Sequence, residues 1–194
     1  GLIYRGMRVI NWCPRCFTAL SDIEVEYEEQ NGQLYTFRYS KDFPFAISTT
    51  RPETKLGDTA VAVHPNDERY QQYIGKVFKV NFLGVSLALK IIADRGVDRS
   101  FGAGAVGVTP AHSMADYDLG QKHHLATIPV IDQQGKIMEQ FGAFAGLTSA
   151  DARKRIVAQL ETAGLLQLTE DYQNNLSVCE RCGNCDSKSD KSLA

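Results

Sequence analysis

A β-rich α/β fold is what this sequence predicts: a closed or strongly coiled β-barrel flanked by a few helices, with a small appendage built from the two ends of the chain. Three observations predict it. Short runs rich in Val, Ile, Phe, Tyr and Thr, each bounded by Gly, Pro, Asn or Asp, follow one another with little strand-helix alternation. Only two or three segments carry a helix start signal. All five cysteines, at 13, 16, 179, 182 and 185, fall in the terminal segments. The 194 residues, 43% hydrophobic and 23% charged, suffice for one main domain with a real core.

In chain order, residues 23–29 read Ile-Glu-Val-Glu-Tyr-Glu-Glu, the period-2 pattern of a half-buried strand whose acidic run is its wet face. Asn31-Gly32 then marks a turn and the aromatic-rich stretch 34–39 returns, so a hairpin is predicted. Further strands are expected at 45–50, 59–63, 76–80, 85–93, 105–108 and 128–131. Asn66 is a candidate cap for a short helix ending near Gly75, and Ser113 for another. Thr148 or Ser149 begins a longer one, in which Ala152, Ile156, Val157, Leu160 and Ala163 make an apolar stripe before Gly164 stops it. There is no internal repeat, and the polar stretch 186–191 reads as flexible.

The cysteines form two Cys-x-x-Cys spacings. Each is one chelating knuckle, and tetrahedral zinc needs two. Cys13, Cys16, Cys179 and Cys182 are the expected ligands of a structural zinc, with Cys185 either a spare or a substitute for Cys179. Disulfides are the rival reading, disfavoured because no export signal opens the chain. A shared metal makes the chain return to its starting point. Such clipped ends suit a domain inserted into a larger host, although a free-standing zinc-stapled domain has them too. The boundaries are then a zinc-binding connective segment at 1–22 and 176–194 and a barrel at 23–175.

A formal net charge of −2 argues against a surface that grips a long nucleic-acid backbone by charge alone, while permitting contact with a few terminal nucleotides. No run of eighteen apolar residues exists, so a cytoplasmic protein without a membrane span is expected.

Three segments could carry chemistry. Residues 101–112 contain a formal G-x-G-x-x-G, but a strand-like run and a proline follow it where a dinucleotide fingerprint needs a helix. Ser48-Thr49-Thr50-Arg51-Pro52-Glu53-Thr54 crowds hydroxyls, a guanidinium and a carboxylate into one loop, suited to a small polar substrate or to a capped turn with a structural Arg-Glu pair. In His112-Ser113-Met114-Ala115-Asp116, the acid three residues after Ser113 resembles a capping box, and the same carboxylate could bind a substrate ammonium. His112 invites a general-base reading that no nucleophile in the sequence supports. His123 and His124 point in different directions on a helix and are not read as metal ligands.

At these segments the chain resembles the editing domain inserted in the valyl, isoleucyl and leucyl class I aminoacyl-tRNA synthetases. The similarity runs from Tyr4-Arg5-Gly6 and Asn11-Trp12-Cys13-Pro14-Arg15-Cys16 to the second cysteine pair. Its most specific parts are Thr49-Thr50-Arg51-Pro52-Glu53-Thr54, Gly57-Asp58-Thr59-Ala60-Val61-Ala62-Val63-His64-Pro65, and Val108-Thr109-Pro110-Ala111-His112. Glu53, the Arg-Pro pair and Pro-Ala-His favour the valyl branch. The resemblance implies hydrolysis of threonine mistakenly esterified to the terminal adenosine of tRNA(Val), with the rest of a parent synthetase and the 3′ aminoacyl end of the tRNA as partners, in a monomer. It places Thr49, Thr50, Arg51 and Thr54 against the adenosine and aminoacyl group, Phe101 at the adenine end, His112 and Ser113 beside the substrate, and Asp116 on the α-ammonium. Two positions depart: many valyl members have Asp where Ser113 stands and Lys where Gly107 stands. The implied chemistry is water attack on an activated ester without a covalent intermediate, zinc being structural. The alternatives are the editing domain of an isoleucyl-type synthetase and, in a second class, a zinc-ribbon interaction module whose barrel binds a partner or RNA and catalyses nothing. A complete synthetase is excluded, since no nucleotide-binding fold and no His-Ile-Gly-His segment is present.

Overall fold

The computed structural model describes residues 9–182; Tyr4-Arg5-Gly6, Cys185 and the polar stretch 186–191 lie outside them. A small antiparallel ribbon joins β1 (Asn11–Cys13) to β2 (Thr18–Leu20). A three-stranded sheet follows, made of β3 (Val25–Phe37), β4 (Ile47–Thr49) and a late strand (Leu166–Cys179), in the order β4, β3, late strand. The main sheet contains β5 (Ala60–Val63), β6 (Val77–Phe82), β7 (Val85–Ala93) and β8 (Ala105–Val108) in the order β6-β7-β5-β8. Two α-helices, α1 (Met114–His123) and α2 (Ser149–Thr162), complete the elements before the late strand, β9.

β5 is central because Ala-Val-Ala-Val can be buried on both faces. Val61 and Val63 enter the main aromatic core, Ala60 and Ala62 a second cluster, and the strand runs parallel to β7 and antiparallel to β8. β6 and β7 form a hairpin closed by Leu83 and Gly84, both at positive φ, the two-residue turn whose twist suits paired strands. Phe37, Tyr39 and Phe82 pack against one another at 5.3 to 5.9 Å in the core. α2 is capped by Thr148, whose hydroxyl accepts from Asp151 N–H, and buries Ala152, Ile156 and Leu160.

Four sequence expectations are corrected. Among the described residues the sheets do not close into a barrel: β4 and the loop before β8 are tied by a side chain, Ser48 Oγ accepting from Ala103 N–H, and by no ladder. The 23–39 hairpin is one continuous strand through Asn31-Gly32, because it pairs along its whole length with β9 and Asn174 lies where a Gly32 side chain would be. β9 itself was not expected; most of it is solvent-exposed and polar, so no apolar alternation announces it. The helix after Asn66 is a single 3-10 turn at Gln71–Tyr73, and 128–131 holds only an isolated bridge from Ile131 to Ile137.

Candidate functional site

Where β4 ends, Pro52 opens a 3-10 segment (Pro52–Gly57) that buries every one of its residues. Where β8 ends, Thr109-Pro110 turns the chain into α1, capped by Ser113. The two turns face each other across a cavity of about 260 Å³. Its wall holds all eight residues singled out from the sequence: Thr49, Thr50, Arg51 and Thr54 from the first turn, Phe101 from the loop before β8, and His112, Ser113 and Asp116 from the second.

The first turn is built around Arg51. Its N–H donates to Thr49 Oγ1 at 3.1 Å, its carbonyl accepts from Thr54 Oγ1 at 3.0 Å, and its Nη1 donates across the cavity to the His112 carbonyl at 3.4 Å. The Arg-Glu pair expected within this loop is weak, at 3.5 Å. The fully buried Glu53 is instead held by Arg153 of α2, whose Nε and Nη2 donate to the two carboxylate oxygens at 2.9 and 2.7 Å. Burial pushes the Glu53 carboxyl up, but the Arg153 fork and the nearby Arg51 charge bring it net below the usual carboxylate range.

Asp116 is a cap residue whose carboxylate also reaches the cavity. Its N–H donates to Ser113 Oγ at 3.3 Å as a cap, while its Oδ2 accepts from Thr109 N–H at 2.9 Å and the side chain lines the cavity. His112 is a brace: buried, its Nε2 accepts from the N–H groups of Val130 and Ile131 at 2.7 and 3.3 Å. That lone pair is committed to the loop at 130–131. Phe101 meets Tyr172 of β9 edge-on, ring centres 5.7 Å apart.

The cavity floor escaped the sequence reading. Lys55 Nζ donates to the Gly107 carbonyl and to Thr109 Oγ1, both at 2.8 Å, and lies 3.1 Å from Asp58 Oδ1. Thr109 Oγ1 donates in turn to Asp58 Oδ1, and Tyr39 OH to Asp58 Oδ2. Every member of this network is buried. Burial raises the Asp58 carboxyl above its usual range against the pull of Lys55, Thr109 and Tyr39, and burial beside Asp58 drives the Tyr39 phenol well up. The network leaves no space at Gly107, where a Cβ would lie 2.2 Å from Asp58 Oδ2 and 2.4 Å from Tyr39 OH. The available signal was Lys55 and Asp58 at i, i+3 just before a wholly apolar strand, a place that hides charge only when it is paired.

At the joined ends, the sulfurs of Cys13, Cys16, Cys179 and Cys182 lie within 4.8 Å of one another. Cys13 and Cys182 are 3.7 Å apart, close to the edge of about 3.8 Å that Zn–S bonds of about 2.3 Å give a tetrahedron. Without a cation such crowding disfavours thiolate: hydrogen bonds with Cys13 and Cys182 are the chief causes that hold the Cys16 thiol up at about 12. The donor set therefore fits a thiophilic dication.

The family described as tRNA synthetases class I (I, L, M and V) matches residues 1–174. Among curated relatives, the Valine--tRNA ligase of Syntrophotalea carbinolica is 49% identical over 185 residues, covering 94% of this chain and 20% of its own. Those of Clostridium acetobutylicum and Thermotoga maritima are 46% and 47% identical, each 21% covered. The chain thus spans about a fifth of the length of the relatives it matches. Among solved structures, an agnB2 LeuRS of Agrobacterium radiobacter K84 in a ternary complex with tRNA and LeuAMS aligns at a TM-score of 0.49, with 18% identity over 77% of this chain and 20% of that one.

Proposed function

Because the chain belongs to the tRNA synthetases class I (I, L, M and V), we propose that it is the editing domain of a valine-specific ligase, hydrolysing the ester of threonyl-tRNA(Val). The need is physical. A pocket shaped for valine rejects an isostere bearing a hydroxyl by only about a hundredfold, so a second, polar site must remove the error. The observation that carries the reading is one cavity, of about 260 Å³, walled by hydroxyls, a guanidinium and the Asp116 carboxylate.

In this reading Asp116 pairs with the α-ammonium of the misattached residue while the Thr49–Thr54 turn holds the terminal ribose and the carbonyl. A water oxygen bonds to the ester carbon, the bond from that carbon to the ribose oxygen breaks, and the water proton passes to the ribose oxygen. The products are free threonine and a tRNA with its terminal hydroxyl restored. The protein contributes position rather than a nucleophile. Valine is spared because its methyl would leave the cavity's hydrogen-bonding groups without partners. Residues 23–175 form the hydrolytic body. The segments 1–22 and 176–194 are its connection to the host, and Cys13, Cys16, Cys179 and Cys182 hold a structural zinc there that joins the ends and takes no part in the reaction.

The purified chain, or a longer protein that carries it, should deacylate threonyl-tRNA(Val) well above background and leave valyl-tRNA(Val) intact. Asp116→Ala should raise the barrier by about 2–5 kcal/mol, as expected for loss of a charged contact, with an unchanged circular dichroism spectrum. Background rates on both esters would end the reading; unfolding of the variant would leave Asp116 as a cap alone.

A further inference from the structure

A second cavity, of about 670 Å³, lies across the 100–103 loop from the first: Phe101 lines one, while Ser100, Gly102 and Ala103 line the other. Its floor is the outer face of the β4-β3-β9 sheet. Thr36 and Leu168, partners in the ladder, and Arg38 just beyond the end of β3 lie there, and Arg69 with Tyr70 forms the opposite wall.

Among the arginines that line the two cavities, Arg38 is the one without a carboxylate partner among the described residues. Arg51 and Arg153 meet Glu53, Arg69 meets Asp67, and Arg181 meets Glu24. Arg38 Nε is buried and has no hydrogen-bond partner among the described residues. The residue as a whole is only half-buried, so beyond the Nε that the protein covers, its uncompensated guanidinium faces the cavity, where an anion would offset its charge. Arg69 offers no second fork, since its Nε and Nη2 are engaged with Asp67 at 2.9 and 2.6 Å and that carboxylate offsets its charge. Glu170, the one carboxylate in the lining, is exposed.

We infer that this cavity binds a phosphodiester of single-stranded RNA, one linkage or two before the nucleoside held in the first cavity, with Arg38 as the fork on the phosphate oxygens. The identity of the RNA rests on the proposed editing function. A guanidinium offers two parallel donors to two phosphate oxygens, which an ammonium does not. The volume suits a nucleotide, and the Phe101–Tyr172 pair at the boundary offers an aromatic face to a base crossing the loop. This reconciles a net acidic chain with an RNA ligand: one placed arginine acts where a basic surface is missing.

The test measures binding of a short single-stranded RNA ending in CCA to the full chain by fluorescence anisotropy over a range of salt. Arg38→Gln should weaken binding about tenfold and flatten the slope of log K against log salt by about 0.7, one phosphate contact on a single strand. Arg38→Lys should keep the slope and lose affinity. A methylphosphonate at one of the last two linkages should reproduce the Arg38→Gln loss with the unaltered protein, which guards against a variant that misfolds. Unchanged RNA affinity in both the variant and the methylphosphonate series overturns the inference. So does an effect of Arg38→Gln on inorganic phosphate binding alone, which marks a free-phosphate site. A chain that binds RNA through Arg38 but leaves threonyl-tRNA(Val) intact would retain the phosphate site and lose the editing function; the reverse outcome would lose only the site.

Discussion

At the scale of single residues, the cavity floor is governed by where one ammonium sits. Lys55 and Asp58 are both buried, and each is tolerated because the other is there together with Thr109 and Tyr39. Lys55→Met leaves the Asp58 carboxylate uncompensated and should cost about 3–5 kcal/mol in a denaturant titration. Gly107→Ala should cost about 1–3 kcal/mol by overpacking, since the added Cβ meets Asp58, Tyr39 and the Lys55 stem. If a lysine at position 107 can supply the ammonium that Lys55 supplies here, the pair Lys55→Met with Gly107→Lys should recover part of the loss, with a coupling energy of at least about 1 kcal/mol. Additive losses would show that the two positions do not share the ammonium. Seven of the eight cavity-wall residues were legible in the sequence as polar groups concentrated after two strands, whereas Phe101 came from the resemblance alone. The floor was not, because a buried Lys-Asp pair and an exposed one look alike until the fold covers them.

At the scale of elements, α2 is fastened to the substrate-side turn by a charge pair as well as by its apolar stripe. Glu53 sits net below the ordinary carboxylate range, the Arg153 fork outweighing burial. The unfolded chain therefore takes up the proton first, so the pair's contribution is complete above the unfolded value of about 4.3 and is lost as pH falls through the lower folded value. Arg153→Met should destabilise the protein by about 3 kcal/mol at pH 7, the low end for a broken buried pair because Arg51 stays 3.5 Å away. That deficit should shrink as pH falls below about 4, where the wild-type advantage fades. Equal deficits at pH 7 and at about pH 3 in urea titrations would refute the assignment. Helix α2 was readable from its cap and stripe, and β7 and β8 from their apolar runs. The β3–β9 ribbon was misread because a polar strand is stabilised by its partner's backbone, which lies more than 130 residues away at its midpoint.

At the scale of the molecule, ties between the first and last described segments include the four-cysteine cluster, the pairing of Val25 with Cys179 and the Arg181–Glu24 ion pair, while Trp12 Nε1 donates to the Gln133 carbonyl at 2.9 Å. Chelation of the zinc proposed above should release the first, a loss of roughly 10 kcal/mol of local stabilisation. Hydrogen exchange should then rise sharply in 10–24 and 172–182 and stay slow in β5 and β7, whose cores are independent of the cluster. Uniform protection before and after chelation would show that the strand pairing alone holds the ends. The sequence by itself determined which residues could do chemistry and that the ends must meet, because cysteine spacing, caps and strand-ending hydroxyls are local signals carried by neighbouring residues. Only the tertiary structure decided that the sheets of the described residues stay open, that His112 Nε2 braces a loop, and that Arg38 lines a cavity with no ion pair among the described residues. Those outcomes depend on what each group meets after burial, and burial is a property of the whole fold.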